Sequence, residues 1–156
     1  MFTCGLTSFF VNKIPFLATL SKRIDVPAVY HLPGRKALDV FKGFRHIYKF
    51  YLNRGFHITT VRADNEFAPL QELCNKKLPN GPQWDLATPG AHVVQVERLI
   101  RTIKERCRCL QDSYQFKRIP KLLTIHTVLH AARMLTYFCR KGGISQAHSP
   151  RMIVLG

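Results

Sequence analysis

Residues 56–67 read FHITTVRADNEF. From Phe56 to Val61 apolar and polar side chains alternate, the period of a half-buried strand. The segment closes on Asp64, with Asn65 and Glu66 beside it. Two explanations compete for a carboxylate at that place. In one, Asp64 caps the helix that follows, accepting from backbone N–H groups without helical partners. In the other, it holds a charged oxygen at the C-terminal end of a strand, where helix-covered sheets place their ligands. Glu66 reads as a first-turn acid favoured by the helix dipole.

Working outward, Phe9 to Val11 and Ile14 to Ser21 read as strands around a tight Asn12-Lys13 turn. Val26 to Leu32 reads as a third strand, closed by Pro33-Gly34. Between Arg35 and Asn53, Leu38, Phe41, Phe44, Ile47, Tyr48 and Tyr51 recur at helical spacing, and Arg54-Gly55 ends the helix. His57 to Ala63 is the fourth strand, running out at Asp64. Beyond it the pattern predicts a short helix over Phe67–Lys76, a loop at Pro79-Asn80-Gly81-Pro82 and a fifth strand over Gln83–Ala87. A long helix from Ala91 to Gln111 follows Thr88-Pro89-Gly90. After a break over Asp112–Pro120, a second runs from Lys121 to Arg140, stopped by Gly142-Gly143. Ser149-Pro150 ends a helix or opens a turn. This order predicts an α/β domain over residues 1–141, with a mixed five-stranded sheet covered by helices and a tail over 142–156.

The 156 residues are 46% hydrophobic, enough for one core. Lys and Arg total 24 against nine acids, a net charge of +15. That balance favours a polyanion: nucleic acid first, an acidic membrane surface second. No run of 18 apolar residues is present, so a membrane span is not expected. The apolar start lacks a basic leading segment and is interrupted by Asn12, Lys13 and Pro15, unlike a signal peptide. Five scattered cysteines without a C-x-x-C pair argue against a disulfide framework and a zinc ribbon, and for a reducing intracellular setting.

In the helix over 91–111, Val93, Val96, Ile100, Ile103, Cys107 and Leu110 form an apolar stripe. Glu97, Arg101, Lys104 and Arg108 run beside it. Alone, Glu97 and Arg101 would be an i,i+4 ion pair worth about 0.2–0.5 kcal/mol. Taken with Asp64, the path through one helix and one strand can bring two carboxylates to one sheet edge, among cations. Such a setting suits a divalent metal and phosphate, since Mg²⁺ completes its shell with water and substrate oxygens.

The segments FFVNKIPFLATLSKRI, RGFHITTVRADNEFAPL, AHVVQVERLIRTIKERCR, FKRIPKLLTIH and KGGISQAHSPRMIV resemble the catalytic core of retroviral and retrotransposon integrases. The similarity is closer to the copia-type elements, in a divergent branch, and covers nearly the whole chain. ADNEF joined to AHVVQVERLIRTIKER at this spacing is its most specific part. The resemblance implies a ribonuclease-H-like fold and an Asp, Asp, Glu triad holding two Mg²⁺ or Mn²⁺ ions for phosphoryl transfer to water or a DNA 3′-hydroxyl. Asp64 matches the second Asp and Glu97 the Glu. Arg101 and Lys104 stand where the family carries DNA-contacting cations, and Arg98 and Arg108 extend that basic face. DNA, both element ends and target, and further copies of the chain are the implied partners, with no membrane and no small-molecule substrate. An intracellular, nuclear site follows for a functional protein.

One position departs from the pattern. The first Asp should precede FFVN, where Thr7 stands, with Ser8 next to it. The first acid of the chain, Asp25, lies beyond the hairpin. A hydroxyl brings no charge to offset two dications, so the expectation is a catalytically defective integrase core, a decayed or truncated copy beginning at an internal Met1. The alternative is a non-enzymatic basic nucleic-acid-binding domain with Asp64 and Glu97 as surface residues. Three further sets read as structural. His126 and His130 lack a third zinc ligand and read as packed against the helix's apolar neighbours. Cys107 and Cys109 point to different helix faces. Tyr48, Tyr51 and Phe56 read as core with snorkelling Lys49 and Arg54, rather than as a base-stacking surface.

Overall fold

The fold rests on a five-stranded sheet, seen in a computed structural model that describes residues 1–78, 80–87, 94–139 and 143–156. Its strands are β1 (Phe2–Val11), β2 (Ile14–Ser21), β3 (Pro27–His31), β4 (Ile58–Asp64) and β5 (Gln83–Ala87), in the spatial order β3-β2-β1-β4-β5. The first three form an antiparallel meander, and β4 and β5 run parallel to β1. The mixed sheet predicted from the element order is therefore present.

The meander begins with a two-residue turn. Val11 pairs with Ile14, and Asn12 and Lys13 both have positive φ, 49° and 64°. That backbone suits the right-handed twist of a hairpin. The first strand is longer than the sequence reading from Phe9 allowed: it starts at Phe2. Phe2, Cys4 and Leu6 bury one side of it, while the other side carries the small residues Gly5 and Thr7. With nothing bulky on that second side, the segment shows a weak strand signature.

The helices are α1 (Ala37–Leu52), α2 (Ala68–Lys77), α3 (Val94–Asp112), α4 (Lys121–Met134) and α5 (Pro150–Leu155), with a 3-10 turn over Asn65–Phe67. Two apolar clusters lie on opposite faces of the sheet. One joins Leu6, Leu17, Val61 and Ala63 to Phe44 and Tyr51 of α1 and to Leu70 and Cys74 of α2. The other joins Phe9, Phe16, Ala18 and Leu20 to Val96, Leu99 and Ile103 of α3 and to Val128 and Ala131 of α4. In α3 the buried stripe uses Leu99, with Ile100 and Leu110 only half-buried. The expected residue Val93 and the start of that helix lie outside the described residues, as do Thr88-Pro89-Gly90, Arg140 and Gly142. Leu38 of α1, expected in its apolar stripe, is exposed.

The fourth helix stops at Met134, short of the predicted Arg140. Leu135 and Thr136 donate their N–H groups three residues back, to Ala132 and Arg133. The Thr136 hydroxyl also donates to the Arg133 carbonyl, at 2.7 Å. These bonds tighten the last turn and use carbonyls that a longer helix would need. The Thr136 carbonyl instead accepts from the Arg151 N–H of α5. Ser149-Pro150 opens α5: the Ser149 hydroxyl accepts from the Met152 N–H, and Val154 packs into the α1-side cluster.

Candidate functional site

Asp64 is the last residue of β4 and stands at the N-cap position of the 3-10 turn, yet its side chain makes no capping bond. Of the two explanations for this carboxylate, the ordinary cap lacks its hydrogen bond. Val61 and Ala63 belong to the α1-side cluster, so the alternation of the strand turns Arg62 and Asp64 toward the α3 side.

The parallel ladder between β1 and β4 pairs Thr3 with Thr60, Cys4 with Val61 and Gly5 with Arg62. Continuing that register by two residues brings Thr7 level with Asp64. Both then lie on one side of the sheet, because paired residues of neighbouring strands share a face. Thr7 is 7% exposed. Ser8 points to the opposite face, where its hydroxyl donates to Glu66 Oε1 at 3.3 Å. The choice between Thr7 and Ser8, open in the sequence, is thus a choice between faces, and Thr7 is the one on the side of Asp64.

Glu97 lies in the first turn of α3 and is exposed. Its neighbour Val96 fixes where that turn sits: Val96 Cγ2 is 2.6 Å from the point where a Cβ on Gly5 would stand. The first turn of α3 therefore rests on β1 at the level of Gly5 and Arg62. That level is two residues, about 7 Å along the strand, before the level of Asp64. Arg98, Arg101 and Arg108 are exposed and Lys104 is half-buried, so the cation row faces outward. The i,i+4 ion pair that Glu97 and Arg101 could make on their own is not formed. Among the described residues the salt bridge present is Arg62 Nε to Asp85 Oδ2, at 3.1 Å. It is an ion pair without hydrogen-bond alignment, since the Arg62 Nε–H finds no acceptor in line. Arg62, Asp85 and Gly5 were not singled out in the sequence. A glycine inside a strand is the one signal available there, because it marks a close approach of something above it.

Among the described residues no three His, Cys, Asp or Glu side chains come together as a metal-binding group. His126 and His130 are exposed, not packed against apolar neighbours as expected. Cys107 is buried and Cys109 exposed, on different faces as predicted. Tyr51 is fully buried, and its hydroxyl donates to the Val26 carbonyl, so the α1 aromatics serve the core. Among the described residues no helix is long and apolar enough to cross a membrane.

No protein-family model and no curated protein matches the sequence. Solved structures do match the fold. The crystal structure of the catalytic core domain of BIV integrase superposes with a TM-score of 0.70 at 19% identity, over 98% of this chain and 93% of that one. The chain shares the fold of that domain, a ribonuclease-H-like mixed sheet covered by helices.

Proposed function

We propose that this chain is a DNA-binding domain of the integrase-core type whose metal site is incomplete. The reading is carried by the register of β1 and β4, which, extended two residues past its last pair, Gly5–Arg62, sets Thr7 level with Asp64 on one face, with the turn bearing Glu97 seated on β1. In an intact core the position of Thr7 would hold the first acid. Asp64 and Glu97 are the remaining two, and Arg98, Arg101, Lys104 and Arg108 line the approach for a phosphate backbone.

The donor set does not fit two divalent ions. A threonine hydroxyl supplies neither the charge nor the bridging oxygens that two dications at close range demand. Two carboxylates suit one hard cation held weakly, with water or phosphate oxygens completing its shell. DNA binding then survives, while end processing and strand transfer are abolished or crippled. The finer assignment, to the integrases of copia-type retrotransposons with self-association and a nuclear setting, rests on the sequence segments that resemble them.

Mn²⁺ titration by calorimetry, paired with a strand-transfer assay, tests this reading. Weak Mn²⁺ binding that disappears in Asp64→Ala is expected, with no strand transfer. Thr7→Asp should tighten the ion by about tenfold or more, since affinity follows the ligand charge count. Robust strand transfer by the unaltered chain, abolished by Asp64→Asn, would overturn the incomplete site. Mn²⁺ binding indifferent to Asp64→Ala would leave the second reading, a nucleic-acid-binding domain without catalytic ancestry in these residues.

A further inference from the structure

A cavity of about 170 Å³ opens where β1 runs out, with Ser8 and Phe10 in its wall. Both alternate with Phe9, which belongs to the α3-side cluster, so they stand on the opposite face of the sheet. Leu32, Phe67 and Leu70, all buried, make the floor. An apolar cavity of roughly 150 Å³ takes one benzene ring, so this one has room for a single flat ring, with a larger ring system reaching out through its mouth. Ser8 follows Thr7, and Glu66 in the wall stands two residues after Asp64. The cavity therefore adjoins the end of the sheet that carries the candidate site.

The rim carries the chemistry. The Arg35 guanidinium lies 5.2 Å from the centre of the Phe10 ring, and both side chains are exposed. An aromatic ring with a guanidinium over it is the kind of platform on which unstacked bases lie. Glu66 supplies the acceptor. One of its oxygens takes the Ser8 hydroxyl at 3.3 Å, and among the described residues no cation forms a salt bridge with it. An ionised carboxylate offers about four lone-pair sites, so Ser8 leaves most of them open.

We propose that this cavity receives one unpaired guanine of the bound DNA, an assignment that rests on the DNA-binding reading above. The occupant has to suit a cation and an anion at one mouth. An acidic side chain meets Glu66, and a basic one meets Arg35. An aliphatic side chain leaves both without a partner. A neutral flat ring bearing N–H donors satisfies the two at once, stacking on the Arg35–Phe10 platform and donating to Glu66. Guanine presents two adjacent donors, its N1–H and its 2-amino group, which match the two oxygens of a carboxylate. Adenine and cytosine set a ring acceptor beside their amino group, and thymine flanks its one N–H with carbonyls. The phosphate of the same nucleotide stays outside, favoured by Arg35 and by a chain of net charge +15. Taking a base out of a duplex costs least where it is already unpaired, so a bulge or a frayed end is the substrate.

The test titrates the full chain with duplexes carrying one bulged base, read by fluorescence anisotropy. The guanine bulge is expected to bind about fivefold or more tightly than the thymine bulge, the lower end for a good two-point contact. Glu66→Gln keeps the shape but turns an amide N–H toward the guanine donors, and should remove most of that preference. Phe10→Ala should bring all four bulges toward the affinity of the plain duplex. In Asp64→Ala the ranking of bases should persist while Mn²⁺ binding is lost, so the two sites fail separately. In amide NMR of the labelled chain, dGMP should shift Ser8, Phe10 and Leu70 more than dTMP does. Equal affinity for the four bulges, or a preference that Glu66→Gln leaves intact, overturns the proposal while DNA binding itself stands. Loss of all DNA binding with the dGMP shifts retained would keep the cavity's preference for guanine and overturn the DNA-binding reading. Larger shifts of the same amides by N-acetyl-tryptophanamide than by dGMP overturn the proposal, reassigning the cavity to an aromatic side chain of a protein partner.

Discussion

Val96 Cγ2 occupies space that a side chain on Gly5 would need: a Cβ there would stand 2.6 Å from it. The helix bearing Glu97 can sit this low on β1 because residue 5 has no side chain. Gly5→Ala forces Val96, stiff at its branched Cβ, or the whole first turn of α3 to move. The expected loss is about 1–3 kcal/mol, the usual range for overpacking. Urea unfolding should show it. The Val96→Ala background makes room for the added methyl, so Gly5→Ala should cost much less there. Equal losses in both backgrounds would mean that the two residues do not constrain each other.

Two residues at helix starts make a matched comparison. Ser149 accepts from the Met152 N–H at 3.3 Å, whereas Asp64 caps nothing with its side chain. Ser149→Ala should cost about 0.5–2 kcal/mol. Asp64→Ala should stay within about 0.5 kcal/mol, since the half-buried carboxylate gives up no capping bond. Denaturation midpoints check both. If the Asp64 variant is destabilised as much as the Ser149 variant, the carboxylate serves the fold and not a ligand.

The thiols divide into two groups. Cys109 and Cys139 are exposed, while Cys4, Cys74 and Cys107 are buried. Burial pushes the Cys4 and Cys74 thiols up to about 12 and the Cys107 thiol to about 11, from an ordinary 9.0. The thiolate is the reactive form. At neutral pH a thiol reagent should therefore label two cysteines in the native chain and the other three only after unfolding. The same shifts set an alkaline limit. Each buried thiol keeps its proton in the folded state after the unfolded chain has begun to release it. Their contribution is complete below pH 9.0 and declines as pH climbs toward about 11–12. Melting temperature measured from neutral to alkaline pH should fall across that window, and the triple serine variant should fall less steeply.

The outward row on α3 predicts a salt signature for DNA binding. Each cation withdrawn from a phosphate should lower the slope of log affinity against log salt by about 0.9. Removing Arg101, Lys104 and Arg108 together should reduce the slope by up to about three such steps and weaken all sequences alike. Fluorescence anisotropy over a range of salt concentrations measures it. An unchanged slope would place the DNA face elsewhere.

Local chemistry made much of the fold legible. The Asn12-Lys13 turn announced the hairpin, and Gly55, with φ of 74°, announced the end of α1. The first half of β1 was not legible, because its second face is built from Gly5 and Thr7 to admit a helix that follows much later in the chain. The end of α4 was misread for a related reason. Tyr137 and Phe138 look like a continuing apolar pattern, but both are exposed, and the partner of the Thr136 carbonyl belongs to α5. At the site, Asp64 could be read from the strand that ends on it. The face it shares with Thr7 and the pairing of Arg62 with Asp85 depend on strand register, which no single segment specifies.

The division of the core between the two sheet faces has a consequence for synthesis. Apart from Val154, every buried member of the α1-side cluster lies between Phe2 and Cys74. The opposite surface of the hairpin, with Phe9, Phe16, Ala18 and Leu20, waits for α3 and α4 to cover it. A ribosome adding about 5–20 residues per second leaves that greasy sheet bare for several seconds. Holdase chaperones would find their target there, in the half-built protein.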